Sequence, residues 1–302
     1  MTGAAQKRCN KMGCYKILVS LVGANGISYG QAGEGLAAGS NSSPYVVENP
    51  LEVPIALPDR TTLDFTGSDR WLTSYQYGIT SMGNFAVTTA EFDAGLIALI
   101  TGTSVDQVTN QAWTEFTENV LASSLPQISL MVIYRIQSTE PTTFGTTKYV
   151  HTIIPRAWLA PKSLTGAPAF QGKGQYTFQL TPASSDRHIN GNPFDTNLDA
   201  QDNTVALYHI IADNALFYVT GVANGATFTL DASRQPVSSA VGTSSNTKNQ
   251  IVKYVTSTAV ATIGVADTIT PANGTFAVGT AVTVAANDVV TALFESNYLA
   301  AA

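Results

Sequence analysis

From Trp71 to Thr181 the chain repeats one signal, apolar and polar side chains alternating at every second residue, and interrupts it for a single helix-period stretch around Leu96. Alternation of this kind sends one row of side chains into a core and the next toward solvent, so it commits the chain to β-sheet layers. The expected fold class is mainly β: a β-sandwich or barrel carrying one short α-helix, followed by a C-terminal all-β domain.

A length of 302 residues with 44% hydrophobic content supplies a sizeable core. Charged residues make up only 12%, well below the usual quarter, and Thr, Ser, Ala, Asn and Gly fill the surface positions. Such a surface suits burial against other subunits. Residues 1–190 hold 12 basic and 13 acidic residues, whereas residues 191–302 hold 3 and 8. Gripping nucleic acid by electrostatics needs clustered Lys and Arg, so this balance argues against it and for a surface that lets DNA slide past.

Cys9 and Cys14 are the only cysteines and lie among Lys7, Arg8, Lys11 and Lys16. They offer no disulfide framework, and without a nearby His they make a poor zinc site, so a reduced pair is expected. The apolar run Ile17 to Val22 is too short for a signal h-region and reads as a first strand ending at the Asn25-Gly26 turn. No stretch reaches the roughly 20 apolar residues of a membrane span, so no membrane insertion is expected.

Composition divides the chain into a flexible N-terminal segment (1–44), a sandwich domain (45–190), a linker (191–203) and a C-terminal β-domain (204–302). Residues 23–44 are rich in Gly, Ala, Ser and Asn. The following stretch is extended and punctuated by Pro50, Pro54 and Pro58, which places it on a sheet edge or as an arm lying on a neighbour. Tyr45, Val46, Val47, Leu51, Val53 and Ile55 are the candidate inter-subunit arm.

Trp71 to Tyr77 is expected to form a hairpin with Phe85 to Val87 through Gly83-Asn84. A helix follows over 90–101, with Thr88 and Glu91 at capping-box spacing and Gly102 as the stop. Its apolar stripe, Phe92, Leu96, Leu99 and Ile100, is expected to pack on the sandwich and cover one opening. Residues 104–123, which contain Trp113, are read as strand. Leu130 to Ile136 is apolar on both faces apart from Arg135 and therefore central, with Lys148 to Ile154 as its partner. The chain is then expected to bend away over Pro155 to Pro161 and return as a strand over Gln175 to Leu180. Asn224-Gly225 predicts a hairpin pairing Phe217 to Val222 with Ala226 to Leu230. Ala272-Asn273-Gly274 predicts another turn that aligns Ile269 with Val278, and Asn287-Asp288 one that returns Val282 and Val284 onto Leu293.

Residue types that carry catalytic chemistry are few in this sequence. The histidines are His151, His188 and His209. Ser185-Asp186-Arg187-His188 has triad residue types, but as sequence neighbours they cannot be expected to converge, and no nucleophile elbow is present. Gly166 to Gly174 is one residue too long for a phosphate loop, lacks its hydroxyl, and reads as a Gly-rich turn before Gln175. His151 lies in an apolar strand, where a buried, hydrogen-bonded imidazole is the simpler reading than a metal ligand. Glu115 and Glu118 read as solvated charges. No catalytic residue, metal or cofactor is expected, and the chain is not read as an enzyme.

The order of elements, above all Phe85 to Gly102, Ser129 to Arg135, Ile153-Ile154-Pro155-Arg156-Ala157-Trp158-Leu159 and Gln171 to Leu180, resembles the major tail tube protein of long-tailed bacteriophages over roughly residues 45–182. The resemblance implies a virion structural protein, made in the host bacterial cytoplasm, that assembles with itself into stacked and usually hexameric rings. It further implies contacts with other tail proteins and a lumen through which double-stranded DNA passes without specific binding. A tail terminator, a neck protein, a capsid decoration protein or a carbohydrate-binding β module would share the composition.

Overall fold

The computed structural model describes residues 10–54, 60–66, 71–79, 83–90, 93–102, 105–108, 111–114, 125–137, 148–160, 165–167, 175–185, 189, 205–212, 215–222, 227–229, 249–255, 258–263, 268–270, 275–277 and 287–295. The first strands are β1 (Asn10–Leu21), β2 (Asn41–Ser42), β3 (Tyr45–Val47), β4 (Pro50–Glu52), β5 (Arg60–Thr66), β6 (Trp71–Ile79) and β7 (Phe85–Thr89). The helix α1 (Ala94–Thr101) precedes β8 (Val105–Val108), β9 (Gln111–Thr114), β10 (Ile128–Gln137), β11 (Lys148–Leu159), β12 (Thr165–Ala167) and β13 (Gln175–Pro182). Beyond these lie β14 (Tyr208–Ala212), β15 (Leu216–Val222), β16 (Thr227–Thr229) and β17 (Asn249–Val255). The last are β18 (Thr258–Ile263), β19 (Thr268–Thr270), β20 (Thr275–Ala277) and β21 (Val289–Glu295). The protein is mainly β, and among the described residues every strand pair is antiparallel.

The main sheet runs β3-β1-β10-β11-β13-β7-β4, with β12 added to β13 and β14 added to β11. Its two end strands, β3 and β4, are separated in sequence only by Glu48 and Asn49. Strands joined by so short a turn cannot sit at opposite ends of a flat sheet, so the sheet rolls until its ends meet, and β1 comes against β4. Ile17, Val19, Val87, Leu130, Val132, Ile154, Phe178 and Leu180 fill the inside of the roll. From α1, Leu96 and Ile100 enter the same core and Leu99 packs at its rim, as the apolar stripe predicts. Phe92 lies outside the described residues.

The central strand is as expected, since β10 is buried from Ile128 to Tyr134 and emerges at Arg135. Its partner differs from expectation, because β11 does not bend away at Pro155 but continues to Leu159. The reason lies in the pairing. Residues 149–153 bond to β14, residues 157–159 bond to β13, and the register against β10 shifts between Ile128 and Leu130. Pro155 sits at this irregularity between two ladders, where its missing N–H breaks no bond.

A second sheet, β18-β17-β21-β15-β2, packs on the outer face of the first. Leu18, Met131, Ile133 and Ile153 meet Leu216, Phe217, Tyr218, Val219, Val290 and Leu293 there. Residues from both sides of the expected linker therefore share one core: β14 completes the first sheet, and Ile189 is buried between the two. Residues 10–44 of the N-terminal segment are likewise built in. β1 is an interior strand, Ile27 and Tyr29 pack on Val222 and Val289, and β2 pairs with β15. Residues 23–44 cannot bury themselves, but a surface supplied by strands some 180 residues later does so.

Two expected hairpins and one expected helix cap are redirected. β6 pairs with β5, and β7 with β13 and β4, so Trp71 to Tyr77 and Phe85 to Val87 form no hairpin. β15 is buried at every position and takes β21 and β2 as neighbours, while β16 pairs with β20, so the two expected flanks do not pair with each other; Asn224 and Gly225 lie outside the described residues. The third concerns the helix N-terminus: Asp93 caps it, and Thr88 belongs to β7, so the Thr88/Glu91 box is not formed at Thr88. Glu91 lies outside the described residues. Gly102 ends the helix as predicted, in the left-handed region at φ 73°, and its N–H donates to the Ala98 carbonyl. Thr268–Thr270 and Thr275–Ala277 do pair, with Ile269 opposite Phe276, and Asn287 adopts φ 73° at the turn before β21. Val278, Val282 and Val284 lie outside the described residues.

Candidate functional site

The seam where the rolled sheet closes gathers most of the residues expected to form an arm. Tyr45, Val46 and Val47 pair with β1, and Pro50 and Glu52 pair with β7. Val47 and Val53 are buried in the protein's own core, Val46 packs against the inter-sheet core, and the Tyr134 hydroxyl donates to the Val53 carbonyl at 3.1 Å. The expected inter-subunit arm is thus a closing element of its own subunit, because a roll of this order needs a strand at each end of the Glu48-Asn49 turn. Leu51, at 46% exposure, is the one large hydrophobic side chain left in solvent among the described residues. Ile55 lies outside them.

Polar side chains fasten the seam. Lys16 on β1 is ion-paired with Glu48 on the turn, and its ammonium stands 5.6 Å from the centre of the Tyr15 ring. The Lys16 side chain is 5% exposed and that of Glu48 56%, so a buried cation is balanced from the surface. Burial lowers the Lys16 pKa from its ordinary value. On the other flank, the Tyr45 hydroxyl donates to Asp93 Oδ1 at 2.5 Å, and the same oxygen accepts the Leu96 N–H at 3.1 Å. Burial first, and then the Asp93 carboxylate, raise the Tyr45 phenol above its usual range. Gly95 lies beneath this ring, where an added Cβ would stand 2.9 Å from the Tyr45 hydroxyl oxygen.

Between β3, the turn and the start of α1 is a cleft of about 290 Å³, bordered by Glu48, Asn49, Thr89 and Asp93. Asp93 is committed to the helix cap and Tyr45, and Glu48 to Lys16, so the cleft offers fixed hydrogen-bonding groups and no poised acid–base pair.

The remaining chemistry-bearing residues are dispersed. His151 is fully buried with both ring nitrogens engaged, as its apolar strand predicts. His209 lies on β14, its Nδ1 3.0 Å from the Thr152 hydroxyl. Ser185 bridges to Val205, while Asp186, Arg187, His188, Glu115, Glu118 and Cys9 lie outside the described residues. Cys14 is a free thiol that burial pushes up to about 12. Gly166 belongs to β12 and pairs with Tyr176, and the rest of the expected Gly-rich turn, residues 168–174, lies outside the described residues. Among the described residues no three His, Cys, Asp or Glu side chains converge as a metal site, and no helix is long and apolar enough to cross a membrane.

Sequence reading did not foresee the polar contacts between the sheets. Ser20 and Tyr218 share a hydrogen bond of 2.5 Å, Ser28 and Ser129 one of 2.7 Å, and Thr220 donates to the Ser28 carbonyl at 2.6 Å while lying 2.9 Å from the Thr291 hydroxyl. All six residues are almost fully buried. Their signal was a Ser or Thr inside each otherwise apolar run, a position that demands a partner. No protein-family model matches the chain, and no curated protein matches it.

Proposed function

We propose that this chain is a virion structural protein that assembles with itself into stacked rings, six subunits to a ring, forming a tail tube through which double-stranded DNA passes. The observation that carries the reading is the β5–β6 ribbon. Its two strands, of 7 and 9 residues, bond to each other and to no other described strand. A two-stranded ribbon is marginal alone, and its open edges are completed most simply by the same ribbon of neighbouring copies, which also removes the hazard of unpaired edges. The rolled sheet with its covering helix supplies a rigid body to hold such a ribbon, and the low, acid-leaning charge leaves a bore that does not trap DNA. This reading assigns the chain no catalysis and no cofactor, and places it in the virion beside other tail proteins.

Electron microscopy of negatively stained, purified protein tests this directly. Hollow filaments of even width are expected, and a Leu63→Pro substitution in β5 should abolish them while leaving the far-UV circular dichroism of the subunit nearly unchanged. A wild-type protein that stays monomeric at high concentration overturns the proposal.

A further inference from the structure

Among the described residues, the interface between the two sheets contains one imidazole. His151 on β11 is fully buried, and the pairing places Lys16, Ile133, His151 and Ile210 side by side across β1, β10, β11 and β14. Its Nε2 accepts the Leu216 N–H at 2.8 Å and its Nδ1 lies 3.3 Å from the Ile210 carbonyl oxygen. An acceptor at Nε2 and a carbonyl at Nδ1 fit one tautomer only, the neutral ring with its proton on Nδ1. The ring therefore ties the end of β14 to the start of β15, at the point where the chain leaves the first sheet for the second.

We propose that His151 is an acid-sensitive latch: a second ring proton sets two donors, Nε2–H and Leu216 N–H, against each other, and the second sheet then lets go of the first while the rolled sheet stays closed. This goes beyond the assembly reading and does not depend on it. Among the described residues, the strands packed around the ring supply the imidazolium no carboxylate. β1, β10, β11, β14 and β15 contain no Asp or Glu at all. The groups that face the site from these strands are Lys16, already paired with Glu48, and Tyr15, Arg135, Tyr149, Tyr208 and Tyr218, while His209 is engaged with Thr152. Glu295 of β21 stands in register with Leu216. Burial accordingly pushes the imidazole down to about 4, with the Ile210 carbonyl pulling weakly the other way. The neutral ring is favoured on folding, so the latch is fully held above the unfolded-state value of about 6.5 and is lost as pH falls toward the folded-state value. Release would bare Met131, Ile133 and Ile153 on one side and Phe217 and Val219 on the other.

Amide hydrogen exchange of the full-length protein between pH 7 and pH 4, read as protection factors, tests the latch. Protection of Leu216 and the β15 amides should fall about 40-fold between pH 6.5 and pH 4.5, while Ile17, Leu130 and Val132 keep theirs. His151→Gln retains a donor and an acceptor without titrating and should abolish that pH dependence. Both sheets losing protection together, or the variant reproducing the wild-type profile, would overturn the latch. Should the variant fail to fold, ¹⁵N imidazole spectra of the wild-type protein decide: a bare Nε2 that protonates below pH 5 supports the latch, and titration near 6.5 refutes it.

Discussion

Tyr45 and Asp93 share a hydrogen bond of 2.5 Å that ties the edge strand β3 to the first turn of α1, and the carboxylate oxygen that accepts it also caps the helix. Gly95 makes room for the tyrosine ring. In an exposed helix, Gly→Ala is worth about 1 kcal/mol of stabilisation. Here the sign should reverse, because the added Cβ meets a ring held on its far side by Asp93. Gly95→Ala is expected to destabilise by about 1 kcal/mol in urea titrations, and Asp93→Ala by about 1–2 kcal/mol through the lost cap. In the Tyr45→Phe background, the Gly95→Ala penalty should shrink, since the freed ring can shift.

The Lys16–Glu48 pair should respond asymmetrically to its two possible truncations. Glu48→Gln leaves a buried ammonium without its carboxylate and should cost about 2 kcal/mol, whereas Lys16→Met removes the charge that needed balancing and should be close to neutral. Equal losses from the two substitutions, measured by chemical denaturation at pH 7, would mean that the buried cation is not the controlling factor.

Tyr218→Phe keeps the ring that fills the inter-sheet core and deletes the hydroxyl that bonds Ser20. A loss of about 1–2 kcal/mol is expected, and part of it should be recovered in Tyr218→Phe/Ser20→Ala, where Ser20 no longer leaves an unmatched hydroxyl and Ser129, the other partner of the Tyr218 hydroxyl, keeps Ser28. Thermal unfolding of the four proteins in the cycle measures the coupling. A coupling near zero would show that the contact contributes nothing.

Truncation after residue 203 would remove β14, β15 and β21 together. That strips the partner from residues 149–153 of β11 and bares Leu18, Met131, Ile133 and Ile153. The fragment should lack a cooperative thermal transition and bind a hydrophobic dye, whereas an independent domain ending there would melt cooperatively.

Much of the first sheet was legible because its signals are local. Period-two runs located β10, β13 and most of β11, the apolar stripe of α1 identified which residues enter the core, and Gly102 ended the helix where a left-handed residue was needed. His151 was legible for a similar reason: an imidazole inside an apolar strand must find partners. The seam and the partners of β15 were not legible, because pairing is a property of two segments and alternation reports on one. Asn224-Gly225 is a strong turn signal, yet β15 is buried on both faces and went to β21 instead.

The sequence by itself determined that this protein is built of sheets, where its central strands and its helix lie, and that its chemistry-bearing side chains are few and scattered in sequence. Tertiary structure decided that β3 and β4 close a roll, that residues 23–44 are held by strands from the far end of the chain, and that strands from both sides of the expected linker share one core. Local alternation fixes which face of a strand is apolar. Which other strand covers that face depends on contacts between residues about 200 or more positions apart, here Ser20 with Tyr218 and Ser28 with Thr220, and these exist only once the two sheets have met.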